Sequence, residues 1–435
     1  MLIRVPALVG LVLVVCFMNE QVIAQRPGIN KDETKVPSFT LPELLKSNDG
    51  VFVETAEAWQ AKRRLEVFDA MAKNVYGDVP KRKVNVDFKV ISSWEIFNGA
   101  AIRKEVRIVF GDDPTNFATL LVTLPNTRSE VPCFLGYNFH GNHTTTDDPK
   151  VSITKSWVRN RESPSTTDNR ANEEGRGTSA SRWPCREIID AGYGVATIYY
   201  GDVDPDIHDQ FKNGIHPLFY EAGQTKPTKS EWGSIGAWAW ALSRCLDYLE
   251  QDSGVDGKHV ALIGHSRLGK TSLWAGASDE RFWMTISNNS GCGGAALSRR
   301  KFGETVEVIN RVFPHWFCDR FPEFDDREND LPVDQHMLMA LIAPRAVYVA
   351  SATGDQWADP RGEYLSLYHS NAVFELFGDS PLQFKSPAAD EPRRTQLRAY
   401  HLRTGKHDIT AYDWEQYVQF GNLQLENSSA KPGVK

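Results

Sequence analysis

A chain of 435 residues, 41% hydrophobic and 24% charged, has an ordinary globular composition and is long enough for one large α/β domain with insertions or for two domains. Its net charge of −7 gives no footing for nucleic acid or an anionic membrane as a partner. No Cys-x-x-Cys and no Cys/His spacing marks a metal site.

Residues 1–24 read as a secretory signal: Arg4 supplies a thin positive start, Val5–Phe17 an apolar core too short to span a bilayer comfortably, and Val22-Ile23-Ala24 a small-residue cleavage site. No stable membrane insertion is expected, and a lipid anchor on Cys16 lacks the small residue directly ahead of it. The mature chain is therefore expected to be secreted or periplasmic. Cleavage leaves Cys133, Cys185, Cys245, Cys292 and Cys318, an odd set with at least one free thiol and room for one disulfide but no framework.

Residues 25–55 are polar and proline-punctuated, an N-terminal surface segment. Trp59, Leu65, Phe68, Met71 and Val75 have the spacing of an amphipathic helix over 57–75. Alternating residues between Val84 and Leu124 predict antiparallel strands. From Pro132 the grammar changes to buried strands alternating with helices: 134–139, 194–200, the helix 234–249, a strand at 260–263, then 284–287, 346–351 and 397–401. The segment 144–184 has no period and is either a mobile loop or an insertion near the active site. Residues 56–425 thus read as one α/β-hydrolase domain, a three-layer sandwich with a mostly parallel central sheet and an antiparallel N-terminal part, followed by a tail over 426–435.

The apolar run Val260-Ala261-Leu262-Ile263 enters Gly264-His265-Ser266-Arg267-Leu268-Gly269, and a helical pattern follows. A strand driven into such a turn presents a serine hydroxyl at the carboxyl end of a sheet, with small residues where the helix starts against the strand. A serine needs a base to take its proton and an acid to orient that base. The strand ending at Asp355 and the turn carrying His407 follow in the order this fold uses, whereas His401, inside its strand, reads as structural. A lone serine, aspartate or histidine at such places is ordinarily a turn, a cap or packing; the three in this order point to a triad. The Arg267 amide is the first oxyanion donor by position, and the loop His140-Gly141-Asn142 is the expected second.

At this point the motifs become specific. Gly264-His265-Ser266-Arg267-Leu268-Gly269-Lys270, Ser290-Gly291-Cys292-Gly293-Gly294, Gly354-Asp355-Gln356-Trp357-Ala358-Asp359-Pro360 and Gly405-Lys406-His407 resemble the bacterial branch of the glucuronoyl esterases. The resemblance covers nearly all of the mature chain. It implies an α/β-hydrolase that cleaves 4-O-methyl-glucuronoyl esters joining xylan glucuronic acid to lignin alcohols, without a cofactor. It further implies that the Arg267 side chain helps hold the oxyanion, that Lys270 binds sugar hydroxyls, and that Glu304 and Trp357 hold the uronic acid ring. Many members of that family carry Glu where this chain has Asn289, which leaves the acid role to Asp355. The fungal branch has cysteines where His265 and Asp408 stand, so that disulfide is absent here. The competing readings are an acetyl xylan esterase or other carbohydrate esterase, and a catalytically silent carbohydrate-binding protein.

Overall fold

The computed structural model describes residues 29–160 and 164–430, so the expected signal, its cleavage site and Cys16 lie outside the described residues. The buried runs of the second half form the centre of a ten-stranded sheet: β1 (Val86–Ile96), β2 (Ala101–Phe110), β3 (Phe117–Pro125), β4 (Val131–Asn138), β5 (Gly194–Tyr199), β6 (Val255–His265), β7 (Met284–Asn288), β8 (Ala346–Ala352), β9 (Arg393–Arg394) and β10 (Arg398–Arg403). Their order across the sheet is β1-β2-β3-β5-β4-β6-β7-β8-β10-β9. Pairing is antiparallel from β1 through β3 to β5 and between β10 and β9, and parallel from β5 through β10. This is the α/β-hydrolase arrangement.

Parallel strands are buried on both faces, so their residues divide by alternation. Val260 and Leu262 of β6 join one core, Ala261 and Ile263 the other. The first core includes Trp238, Leu242 and Leu246 of the helix Ser234–Leu249, Leu273 and Trp274 of Arg267–Ser278, and the whole apolar face of Gln335–Ile342. The second receives Ile188 of Cys185–Asp190 and Trp414, Tyr417 and Phe420 of the C-terminal helix Ala411–Ala430. Helices on both faces make the sheet the middle of three layers.

The helix expected over 57–75 is present but not regular. α-helical turns at Ala56–Ala58 and Arg64–Met71 alternate with π-helical turns at Trp59–Arg63 and Ala72–Tyr76. The wider turns rotate the apolar stripe, so Trp59, Val67, Met71 and Val75 are buried while Leu65 is 57% exposed. Arg63 and Arg64 go inward instead, satisfied by the carbonyls of Glu43, Leu44, Ala277 and Leu341. The segment 144–184 is packed in its described parts: Thr144–Thr146, Val151 and Val158 are buried, and Trp183 lies against Trp414. Cys133, Cys185, Cys245, Cys292 and Cys318 are all free thiols.

Candidate active site

Ser266 stands between β6 and the helix Arg267–Ser278 with φ +58° and ψ −130°, a strained left-handed setting for a residue with a Cβ. Close packing enforces it. A Cβ on Gly264 would overlap the Leu268 carbonyl oxygen, and one on Gly269 would lie 3.0 Å from both Gly264 O and Ser290 Cβ. The Ser266 amide donates to Asn288 O at 2.9 Å, tying the turn to the end of β7. Because β6, β7, β8 and β10 are parallel neighbours, their carboxyl ends open on one edge and bring Ser266, Asn289, Asp355 and His407 together.

His407 Nδ1 and Asp355 Oδ2 are 2.6 Å apart, and the imidazole packs on His265 with ring centroids 4.4 Å apart, directly beside the serine. An acceptor-only carboxylate on Nδ1 places the ring proton there and directs Nε2 chemistry elsewhere. Burial by itself would raise the Asp355 pKa. The hydrogen bond and charge of His407, with the Asn289 amide donating at 2.9 Å, instead hold it below the ordinary range. Asn289 is thus a donor to Asp355. The other candidate carboxylates are engaged elsewhere: Asp359 grips Arg300 at 2.7 and 3.1 Å, and Asp408 pairs with Arg182 at 2.7 Å.

In the loop expected to supply a second oxyanion donor, two groups are engaged within the fold. The Gly141 amide donates to Asn138 Oδ1 at 2.8 Å, and the Asn142 side chain donates to Thr119 O at 2.7 Å. What this strand end brings to the site is Phe139, whose ring meets His265 edge-on and lies 5.4 Å from the Arg267 guanidinium. The Arg267 amide remains in position as the first of its helix.

Lys270 is buried one turn beyond the serine, where its Nζ donates to Ser290 O and lies 3.7 Å from Glu304 Oε2. Burial raises the Glu304 pKa and the Lys270 charge opposes that shift. The Glu304 amide donates to Trp357 O at 3.0 Å, and the indole is half-buried. Lys270, Glu304 and Trp357 are therefore linked to one another and, through Lys270, to the helix that follows the serine. The loop carrying Glu304 is pinned by three consecutive ion pairs, Arg299–Asp334 at 3.1 Å, Arg300–Asp359 at 2.7 Å and Lys301–Glu328 at 2.6 Å. Such pairs, desolvated on at least one side, fix geometry more reliably than they add stability.

Two carboxylates here have no counterpart in the sequence reading. Glu363 is fully buried beneath the turn after β7, accepting from the Ser290 and Gly291 amides at 2.7 and 3.0 Å and from Ser351 Oγ at 2.6 Å. Burial pushes its pKa up to about 8 despite those donors. Asp206, in the loop after β5, is fully buried against Arg267, His315, Trp316 and Tyr200. Both belong to contacts between distant segments; the one hint in the sequence is that Asp206 stands just beyond a parallel strand. Among the described residues, no cluster of His, Cys, Asp and Glu could hold a metal ion, and no helix is long and apolar enough to cross a membrane.

Known proteins similar to this chain include the following. The profile described as "Glucuronyl esterase, fungi" matches residues 185–378. The chain is 50% identical over 409 residues to Carbohydrate esterase MZ0003 of an unknown prokaryotic organism, covering 94% of each chain. It is 30% identical over 213 residues to 4-O-methyl-glucuronoyl methylesterase 1 of Phanerochaete chrysosporium, covering 46% of this chain and 44% of that one. The solved glucuronoyl esterase from Solibacter usitatus is 45% identical, with TM-score 0.84, covering 90% of this chain and 99% of that one.

Proposed function

This chain belongs to the glucuronoyl esterases, a family of carboxylic ester hydrolases, and on that premise we propose an exported serine esterase that cleaves 4-O-methyl-glucuronoyl esters between xylan and lignin alcohols. The observation that carries the reading is the coincidence of two features at adjacent strand ends. One is a strained Ser266 beside the 2.6 Å Asp355–His407 pair; the other is a buried Lys270–Glu304 pair one helical turn away. The first is the apparatus of acyl transfer, and the second offers directed charge to a polar sugar.

In this mechanism His407, held by Asp355 in the tautomer with its proton on Nδ1, takes the Ser266 proton as Oγ attacks C6 of the uronic acid. The Arg267 amide and guanidinium meet the developing oxyanion. Lys270 and Glu304 engage sugar hydroxyls, and Trp357 lines the ring. His407 then protonates the departing alcohol, and water activated by the same imidazole releases the acyl-enzyme. The leader at 1–24 places the mature enzyme outside the cytoplasm, with 56–425 as the catalytic domain.

The test compares kcat/KM for benzyl glucuronate with deacetylation of acetylated xylan. Preference for the uronate ester, abolished by Ser266→Ala, is the expected result. Preference for the acetate would assign the site to an acetyl xylan esterase, and failure of a serine-directed phosphonate to label Ser266 would remove the mechanism.

A further inference from the structure

The guanidinium of Arg267 lies among three aromatic rings, with its Cζ 5.4 Å from the Phe139 centroid, 5.9 Å from Phe313 and 5.1 Å from Trp316. Phe313 and Trp316 are themselves stacked at 3.7 Å, so two of these walls form one slab. Rings attract a cation toward their faces but impose little direction within the plane of the guanidinium. Direction requires a charge fixed on one side.

Asp206 supplies that charge. Its two oxygens face different groups. Oδ1 is held to the fold by His315 Nε2 at 3.0 Å and by Trp316 Nε1 at 2.8 Å. Oδ2 looks toward Arg267 Nη1 at 3.5 Å and Arg159 Nη2 at 3.7 Å, and accepts from Tyr200 OH at 3.1 Å. Trp316 therefore does two things at once: its ring covers Arg267 while its N–H holds the carboxylate that pairs with the same arginine. Burial alone would raise the Asp206 pKa, but Arg267 and then His315 hold it well below the usual carboxylate range, so the group is ionised. Arg159, on the segment 144–184, also donates Nη2 to the Asp206 carbonyl at 2.9 Å, which ties that segment to the same point.

We infer that Asp206 is the positioning residue for Arg267, an aspartate outside the triad that sets where the guanidinium meets the oxyanion. The inference rests on the proposed role of the Arg267 side chain. The carboxylate does not touch substrate. It acts through Arg267, and its effect belongs to the transition state, where charge on the oxyanion appears.

A double-mutant cycle tests this on the uronate ester. Asp206→Asn keeps an acceptor for His315 and Trp316 but removes the charge facing Arg267. Arg267→Ala should lower kcat about a hundredfold, the usual scale for an oxyanion donor. Asp206→Asn should lower kcat roughly tenfold with KM changed little, and the double variant should be no slower than Arg267→Ala. A second measurement uses guanidinium ion at millimolar concentration, with tetramethylammonium as the ionic control. Guanidinium should partly restore kcat in Arg267→Ala, because the carboxylate and rings still form its seat, and should do nothing in the double variant. Unchanged kcat in Asp206→Asn, or a cost that is the same with and without Arg267, overturns the inference while leaving the role of Arg267 standing. Unchanged kcat in Arg267→Ala overturns that role and the inference together. Where Asp206→Asn yields no folded protein, the rescue decides: restoration by guanidinium supports the seat, and no restoration overturns it.

Discussion

Two histidines close together on the last strand and its turn, His401 and His407, each meet an aspartate, yet in different surroundings. His401 Nε2 meets Asp413 Oδ1 at 2.8 Å and its Nδ1 meets Tyr348 OH at 2.9 Å, so both nitrogens are spent. Asp413 in turn accepts from Arg403, from the Thr410 amide and from its hydroxyl, and both members of the pair are wholly buried. The His407–Asp355 pair is shorter, at 2.6 Å, and its imidazole is 27% exposed against 4% for the carboxylate. A histidine–aspartate contact is therefore not the mark of catalysis. What sets the second pair apart is an imidazole left partly open on one side and packed on His265, the neighbour of the strained Ser266.

Breaking each pair should separate rate from stability. The largest effect is expected at the proposed nucleophile and base: Ser266→Ala or His407→Ala should lower kcat at least about ten-thousandfold while thermal unfolding changes little. Steady-state kinetics with a melting curve on each variant checks both halves. Asp355→Asn should cost about a thousandfold to ten-thousandfold in kcat, because the amide neither offsets the imidazolium nor enforces the tautomer.

The role of Asn289 sharpens the same comparison. In the Asp355→Asn background, Asn289→Glu should recover part of the rate, since position 289 reaches the side chain of 355 at 2.9 Å. In the native background the same change should reduce kcat, because two carboxylates would then share the site and one would be protonated. Recovery in both backgrounds would mean that Asn289 is not a donor to Asp355.

His401→Ala breaks the buried pair and should destabilise the fold by about 3–5 kcal/mol, leaving the rate per folded molecule within a few-fold. Chemical denaturation read beside active-site titration distinguishes the two. Smaller again, Lys270→Ala should cost about 1.5–3 kcal/mol in transition-state binding of uronate esters but little with aryl acetates, which offer no sugar hydroxyls. Equal losses would give Lys270 a purely structural role at Ser290 O.

Acid should weaken both pairs together. The Asp355 and Asp413 pKa values are depressed in the folded state. Their stabilising contribution is full above the unfolded value of about 3.9 and is lost as pH falls through the lower folded values. Unfolding free energy measured from neutral to strongly acidic pH should fall there, with a shallower slope in Asp355→Asn.

The strand-and-helix alternation, the serine turn and the order of Asp355 and His407 were legible in the sequence because each rests on local rules. Buried strands read as apolar runs, and a turn forced close against its helix demands Gly264 and Gly269. The expectation for His401 followed from its place within a strand rather than beyond one. The helix over 57–75 was legible in position but not in face, because two π turns rotate the stripe and let Arg63 and Arg64 point inward to carbonyls of distant segments. At Gly141 a related limit applies: a glycine signals a turn, but not whether its amide faces the site or, as here, Asn138.

What the sequence by itself determined is therefore the set of residues delivered to the carboxyl edge of the sheet, since strand ends and their order follow from local pattern and chain direction. What the tertiary structure alone decided is which of them are poised and which are spent. Asn289 became a donor to Asp355, Glu363 the support of the turn after β7, and Asp206 with Phe139, Phe313 and Trp316 the surroundings of Arg267. These partners come from segments far apart in the chain, and no spacing rule links them. The low-dielectric interior makes such pairings matter, because a buried charge must find a partner wherever the fold brings one.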